Sequence, residues 1–156
     1  MKKLLLILFV LPIFLMAQNK KTNFYSDYQF DKTFDGTKLE GFKKVSIQIS
    51  DPKLLTKSGI KLEDLPRGFV TIKFDGLDKV TETIVYLKKR STKTDDMYAI
   101  TNSETGNDMI FIIKGLHKVG KKSYSHTIVL GGNEDNDNYE GGLPRYYTAF
   151  HCNITK

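Results

Sequence analysis

Four tyrosines and a histidine, Tyr86, Tyr98, Tyr124, Tyr146 and His126, recur at spacings that would bring them to one face of a β-meander. Phenolic hydroxyls and an imidazole on an otherwise apolar surface need hydrogen-bond partners once buried. In a pocket, a small amphipathic ligand would supply those partners. In a closed core they would be one another, Thr148 or backbone. The same face is expected to carry Ile84, Ile100, Ile110, Ile112, Ile128, Leu130, Phe150, Cys152 and Ile154, so both readings are open at this stage.

A second group of chemical interest is Asn133, Asp135 and Asp137, oxygen ligands at alternating positions between two Gly-Gly pairs. Hard cations such as calcium take ligands in this way. The segment departs from the helix-flanked calcium loop, because Asn138 stands where the turn glycine belongs and Pro144 where the closing bidentate glutamate belongs. A flexible acidic hairpin loop is the competing reading. A weak calcium site is the only cofactor expectation.

Cations gather at Lys88, Lys89, Arg90 and Lys93, and again at Lys114, Lys118, Lys121 and Lys122. These clusters fall in turns after alternate strands, hence at one end of a meander, and the acidic segment is assigned to that end as well. Such a patch would attract an anionic polymer, lipid headgroup or acidic protein; the bland alternative is that lysine-rich turns keep the sheet soluble. Nucleic acid is not expected as a partner. Arginine, which reads phosphates and bases in bidentate fashion, appears only as Arg67, Arg90 and Arg145.

Catalytic constellations are missing from the local pattern: there is no nucleophile elbow, phosphate-cradling glycine loop or paired-cysteine metal spacing. His151 and Cys152 are neighbours, and neighbours in a strand point to opposite faces. His117 falls in an expected lysine-rich turn. Cys152 is the single cysteine, which rules out an intramolecular disulfide. It reads as a small buried hydrophobe, with a bridge between chains as the alternative. A binding role is therefore expected over an enzymatic one.

These residues must be positioned by the rest of the chain. Met1-Lys2-Lys3, the apolar run Leu4 to Leu15 and the small residue Ala17 form a secretory signal peptide over residues 1–17, of bacterial appearance. It implies export to the periplasm or medium. Losing Lys2 and Lys3 lowers the formal charge from +6 to +4. No later segment is apolar enough to span a membrane, and residues 18–156 are enough for one domain with its own core.

Segments rich in Val, Ile, Tyr, Phe and Thr, broken by Gly, Asp, Asn and Lys, predict an all-β domain of about eight antiparallel strands. Strands are expected near 23–30, 44–50, 67–74, 80–90, 96–102, 108–114, 122–130 and 144–155. A short helix is expected at 52–58, capped by Asp51 with Pro52 in its first turn. The last five strands form a meander. Turns centred near Lys93 and Thr105, and a loop near Asp137, would set Tyr86 opposite Ile100, Tyr98 opposite Ile112 and Tyr124 opposite Phe150. The reverse face is apolar too, through Val85, Leu87, Met97, Met109, Phe111 and Ile113. Burial on both faces favours a sandwich over an up-and-down barrel, in which one face meets water. The leading expectation is an exported binding domain. The alternative is a structural or interaction subunit of an envelope assembly or homo-oligomer, docking through that reverse face.

Overall fold

A computed structural model describes residues 20–32, 38–41, 44–51, 67–87, 90–101, 108–132, 139–140, 143–144 and 147–156. Eight strands carry the architecture: β1 (Lys20–Lys32), β3 (Val45–Asp51), β4 (Arg67–Phe74), β5 (Lys79–Tyr86), β6 (Asp95–Ile100), β7 (Asp108–Val119), β8 (Lys122–Gly132) and β11 (Tyr147–Thr155). Short β2 (Lys38–Gly41) continues the line of β3 along β1, and β9 (Tyr139–Glu140) pairs with β10 (Leu143–Pro144) as a separate ribbon. The expected helix at 52–58, the signal peptide, Tyr146, Lys88, Lys89, Asn133, Asp135 and Asp137 lie outside the described residues.

Each of the eight strands pairs antiparallel with its neighbour in sequence, and β11 pairs with β1 across nine positions. The hydrogen-bonded order therefore closes on itself. A closed ring suits either a round barrel or one flattened until its halves face each other like the layers of a sandwich. Where the strands pair around the ring they leave no open edge for edge-to-edge association.

Alternation along the strands puts one set of side chains from every strand into a common interior. Phe24, Val45, Ile47, Ile49, Val70, Ile84, Tyr98, Ile110, Ile112, Ile128, Phe150 and Cys152 form this cluster, with Ile72, Phe74, Tyr86, Ile100 and Leu130 packed against it. The N-terminal strands thus line the same interior as the meander. Each fully buried aliphatic side chain contributes on the order of 1.5–3 kcal/mol, and no disulfide assists them, since Cys152 is a free thiol. A second cluster lies on the reverse face, where Met109, Phe111, Val129 and Ala149 are buried beside Phe30, Leu87, Met97, Ile113 and Tyr147.

Several expectations need correction. The observed registers set Tyr86 opposite Tyr98, Tyr98 opposite Ile110, and Phe150 opposite Ile128. Every offset from the expected pairing is an even number of residues. An even slip keeps each side chain on its face, so the composition of the interior is unchanged. Strand β7 runs on through His117 to Val119, across a bulge between Lys114 and His117, and turns back tightly at Gly120, whose φ of 58° suits the first position of a two-residue hairpin. His117 is therefore in a strand. The acidic segment is also misassigned: the strand ends it joins lie beside Asp108 at the start of β7, opposite the β7–β8 turn.

Truncating Phe150, which is fully buried, should lower stability by about 3–5 kcal/mol. Truncating Leu77, 64% exposed in the β4–β5 turn, should change it by less than about 0.5 kcal/mol. Urea unfolding of Phe150→Ala and Leu77→Ala compares the two; equal losses would contradict an interior formed by these strands.

Candidate functional site

The four described residues of the five first singled out, Tyr86, Tyr98, Tyr124 and His126, do not form one site. Tyr98 is 1% exposed within the interior cluster, and the Tyr86 ring packs 5.4 Å from it. His126 lies edge-on to Phe24 at 5.3 Å, with Nδ1 2.8 Å from Ser125 Oγ. Burial holds its pKa below the usual imidazole value; Lys114 and His117 act in the same sense and Asp96 opposes them. Lys114 and Asp96 form an ion pair at 3.4 Å. Tyr124 belongs to a different group.

A bulge in β1 creates that group. Between Ser26 and Tyr28 the register with β11 shifts, and Ser26 Oγ stabilises the kink by donating to Tyr28 O at 2.8 Å and accepting from Tyr28 N–H at 3.1 Å. Asp27 is thereby aimed at β8, where it accepts from Tyr124 Oη at 2.7 Å and pairs with Lys122. Lys122 chiefly holds the Asp27 carboxyl below its ordinary pKa, while burial and that carboxylate push the Tyr124 phenol above the usual range.

Beside this pair, His151 packs against four rings from three strands, stacked on His117 at 4.8 Å, Tyr28 at 5.4 Å and Tyr124 at 5.7 Å, with Phe30 tilted at 5.1 Å. His151 Nδ1 is 2.8 Å from Thr127 Oγ1, and His117 Nε2 is buried without a hydrogen-bond partner. Sequence reading missed this row because His117 and His151 sit 34 positions apart and meet only through the register of β7, β8 and β11. Among the described residues no three His, Cys, Asp or Glu side chains gather as metal ligands. Cys152 is fully buried: burial pushes its thiol up to about 12, and Sγ donates to Phe150 O at 3.3 Å.

Open concave surface occurs elsewhere, on the outward side of β1, β3 and β4. A groove of about 350 Å³ is lined by residues including Asn23, Tyr25, Gln48, Thr71 and Lys73. A second of about 310 Å³ adjoins it, sharing Tyr25, Ser46 and Lys73 and adding Lys44 and Asp75. The pairing explains the arrangement. Tyr25, Ser46, Lys73 and Lys79 stand in one cross-strand row, and Asn23, Gln48, Thr71 and Thr81 in the next. Gln48 Nε2 donates to Asn23 Oδ1 at 2.8 Å, and Thr71 and Thr81 hydroxyls meet at 3.0 Å. Tyr25 and, further along, Phe69 are exposed.

Of the expected basic patch, Arg90, Lys118 and Lys121 are exposed, whereas Lys122 is engaged by Asp27. The two turns do share one end of the ring, since β5 and β7 run in the same direction. On the reverse face, Met109 and Phe111 are each 4% exposed, so they present little surface to a partner.

Two acid-sensitive groups are set by this geometry. His126 has its folded pKa below 6.5, so the unfolded chain binds its proton first and stability falls as pH drops below about 6.5. Asp27, lowered from 3.8, contributes stability that is lost as pH falls through its still lower folded pKa. Unfolding midpoints measured from neutral to strongly acidic pH should show both steps. His126→Gln should remove the upper and Asp27→Asn the lower; an upper step that survives His126→Gln would contradict the assignment.

No family model, curated protein or solved structure matches this chain.

Proposed function

We propose that this protein is an exported binding domain that holds an extended carbohydrate chain on the outward face of β1, β3 and β4. The observation that carries the reading is the contrast between the two sides of these strands. Inward, Val45, Ile47, Ile49 and Val70 are each 1% exposed and belong to the buried interior cluster. Outward, two adjoining grooves run past an exposed tyrosine between rows of amide and hydroxyl side chains.

That combination suits a sugar. The C–H face of a pyranose packs on an aromatic ring through weak C–H contacts and apolar burial. Its hydroxyls both donate and accept, as do the Asn23 and Gln48 amides and the Thr71 hydroxyl. A peptide adding as a strand would need a sheet edge, and the closed pairing ring offers none along β3 or β4. Export rests on the N-terminal residues 1–17, which carry the three parts of a secretory signal. A binding role, as opposed to a catalytic one, rests on the engagement of Asp27, Tyr124 and Lys122 with one another and on the burial of Cys152.

Electrophoresis of residues 18–156 through gels cast with dextran, xylan or polygalacturonate tests the reading. At least one polysaccharide should retard the protein, and Tyr25→Ala should weaken that interaction about three- to tenfold, as loss of one ring contact worth about 0.5–1.5 kcal/mol would do. Tyr98→Phe, an interior change, should have no effect. Retardation in none of the gels, or retardation untouched by Tyr25→Ala, would refute it.

A further inference from the structure

The outward positions of four adjacent strands have an uncommon charge distribution. On β1 they are Lys21, Asn23 and Tyr25; on β3, Ser46, Gln48 and Ser50; on β4, Arg67, Phe69, Thr71 and Lys73; on β5, Lys79, Thr81 and Thr83. Among the described residues, four cations stand on this face and no carboxylate does. Lys44 borders it just before β3, and Asp75, in the β4–β5 turn, is the acid that lines the second groove. A solvated sheet face normally intersperses both signs.

The pairing sharpens the anomaly. Lys73 and Lys79 are direct cross-strand partners, and like charges placed opposite each other destabilise a sheet. Neither lysine, nor Lys44, takes part in an ion pair among the described residues. Their row also contains Tyr25, two strands away from Lys73. At about 4.8 Å per strand and 3.4 Å per residue, Tyr25 and Phe69 stand roughly 16 Å apart along a diagonal. The polar row Asn23, Gln48 and Thr71 runs between them. Two apolar platforms, hydroxyl-binding side chains between them and a pair of lysines at one end match a chain that alternates sugar faces with negative charge.

We infer that the carbohydrate bound on this face is acidic, a polysaccharide with carboxylates on its sugar rings, and that Lys73 and Lys79 together with Lys44 bind those carboxylates. The inference rests on the carbohydrate reading above and adds the ligand's charge. Lysine suits the task because its ammonium is a compact point charge on a flexible stem, able to follow carboxylates along a chain without the fixed bidentate geometry of arginine. A bound carboxylate between Lys73 and Lys79 converts their repulsion into two attractions. The lysines at the far turns, Lys118 and Lys121, lie outside both grooves.

The test uses residues 18–156 with three probes: polygalacturonate oligomers, neutral dextran oligomers and a single-stranded oligothymidylate, which shares negative charge and stackable rings but not sugar carboxylates. Polygalacturonate should bind best, and its affinity should fall as salt rises from about 0.05 to 0.5 M. The double variant Lys73→Gln/Lys79→Gln should lose at least about tenfold on polygalacturonate, consistent with one or more charge-assisted contacts. Its thermal midpoint should be equal to or above that of the parent, because the like-charge pair is gone; a merely structural role for these lysines would lower it. Lys118→Gln/Lys121→Gln should bind as the parent does. Dextran bound as well as polygalacturonate, without salt dependence, would overturn the acidic ligand and leave the carbohydrate face standing. Preference for the oligothymidylate would overturn the acidic sugar in favour of nucleic acid. Failure to bind either saccharide would overturn both readings.

Discussion

The pairing of β11 with β1 is the constraint on which the other features depend. It joins Phe24 to Ile154 and Ser26 to Cys152, residues from opposite ends of the domain. Until that seam forms, the first and last strands each have an unpaired edge and the interior is open to water between them. Once formed, it brings Phe24 into the same buried cluster as Ile128 and Phe150. Contacts so distant in sequence carry a loop-closure cost that must be met before they give any return. The apolar area gained on closing has to offset it without help from a disulfide.

The seam is irregular where it matters for chemistry. The β1 bulge after Ser26 changes which residues of β1 face which side, so that Tyr28 comes opposite His151 while Gln29 comes opposite Phe150. The same kink releases Asp27 from the ladder and lets it satisfy Lys122 and Tyr124. Bulges increase local twist and re-aim side chains, and here the result is a row of stacked rings over the closing strands. Lys122 is thereby withdrawn from the set of free cations at that end of the ring.

Much of the fold was legible because period-two alternation is insensitive to even slips in register. Tyr86, Tyr98, Ile110, Ile112 and Ile128 were assigned to one face with partners displaced by a few residues, and the face survived. The extension of β7 was hidden, since Lys114, Gly115, Leu116, His117 and Lys118 carry no alternation across their bulge. Placing the acidic segment at the basic end was an error of topology: successive hairpin connections lie at alternate ends, and this one follows β8 directly. The groove residues left almost no signal. Asn23, Gln48 and Thr71 are what any solvated strand face contains, and they become a surface with a direction only when the register sets them side by side.

Inward burial explains how the like-charge pair Lys73 and Lys79 is tolerated. Its partners on the same strands, Ile72 and Val70 on β4 and Ile84 on β5, face the shared interior, where their burial is insensitive to what the outward side chains do. A surface repulsion of a few tenths of a kcal/mol to about 1 kcal/mol is small against burial of several such side chains. The seven-pair β4–β5 ladder that ends at Lys73 and Lys79, with the β3–β4 pairing beside it, holds the two charges opposed.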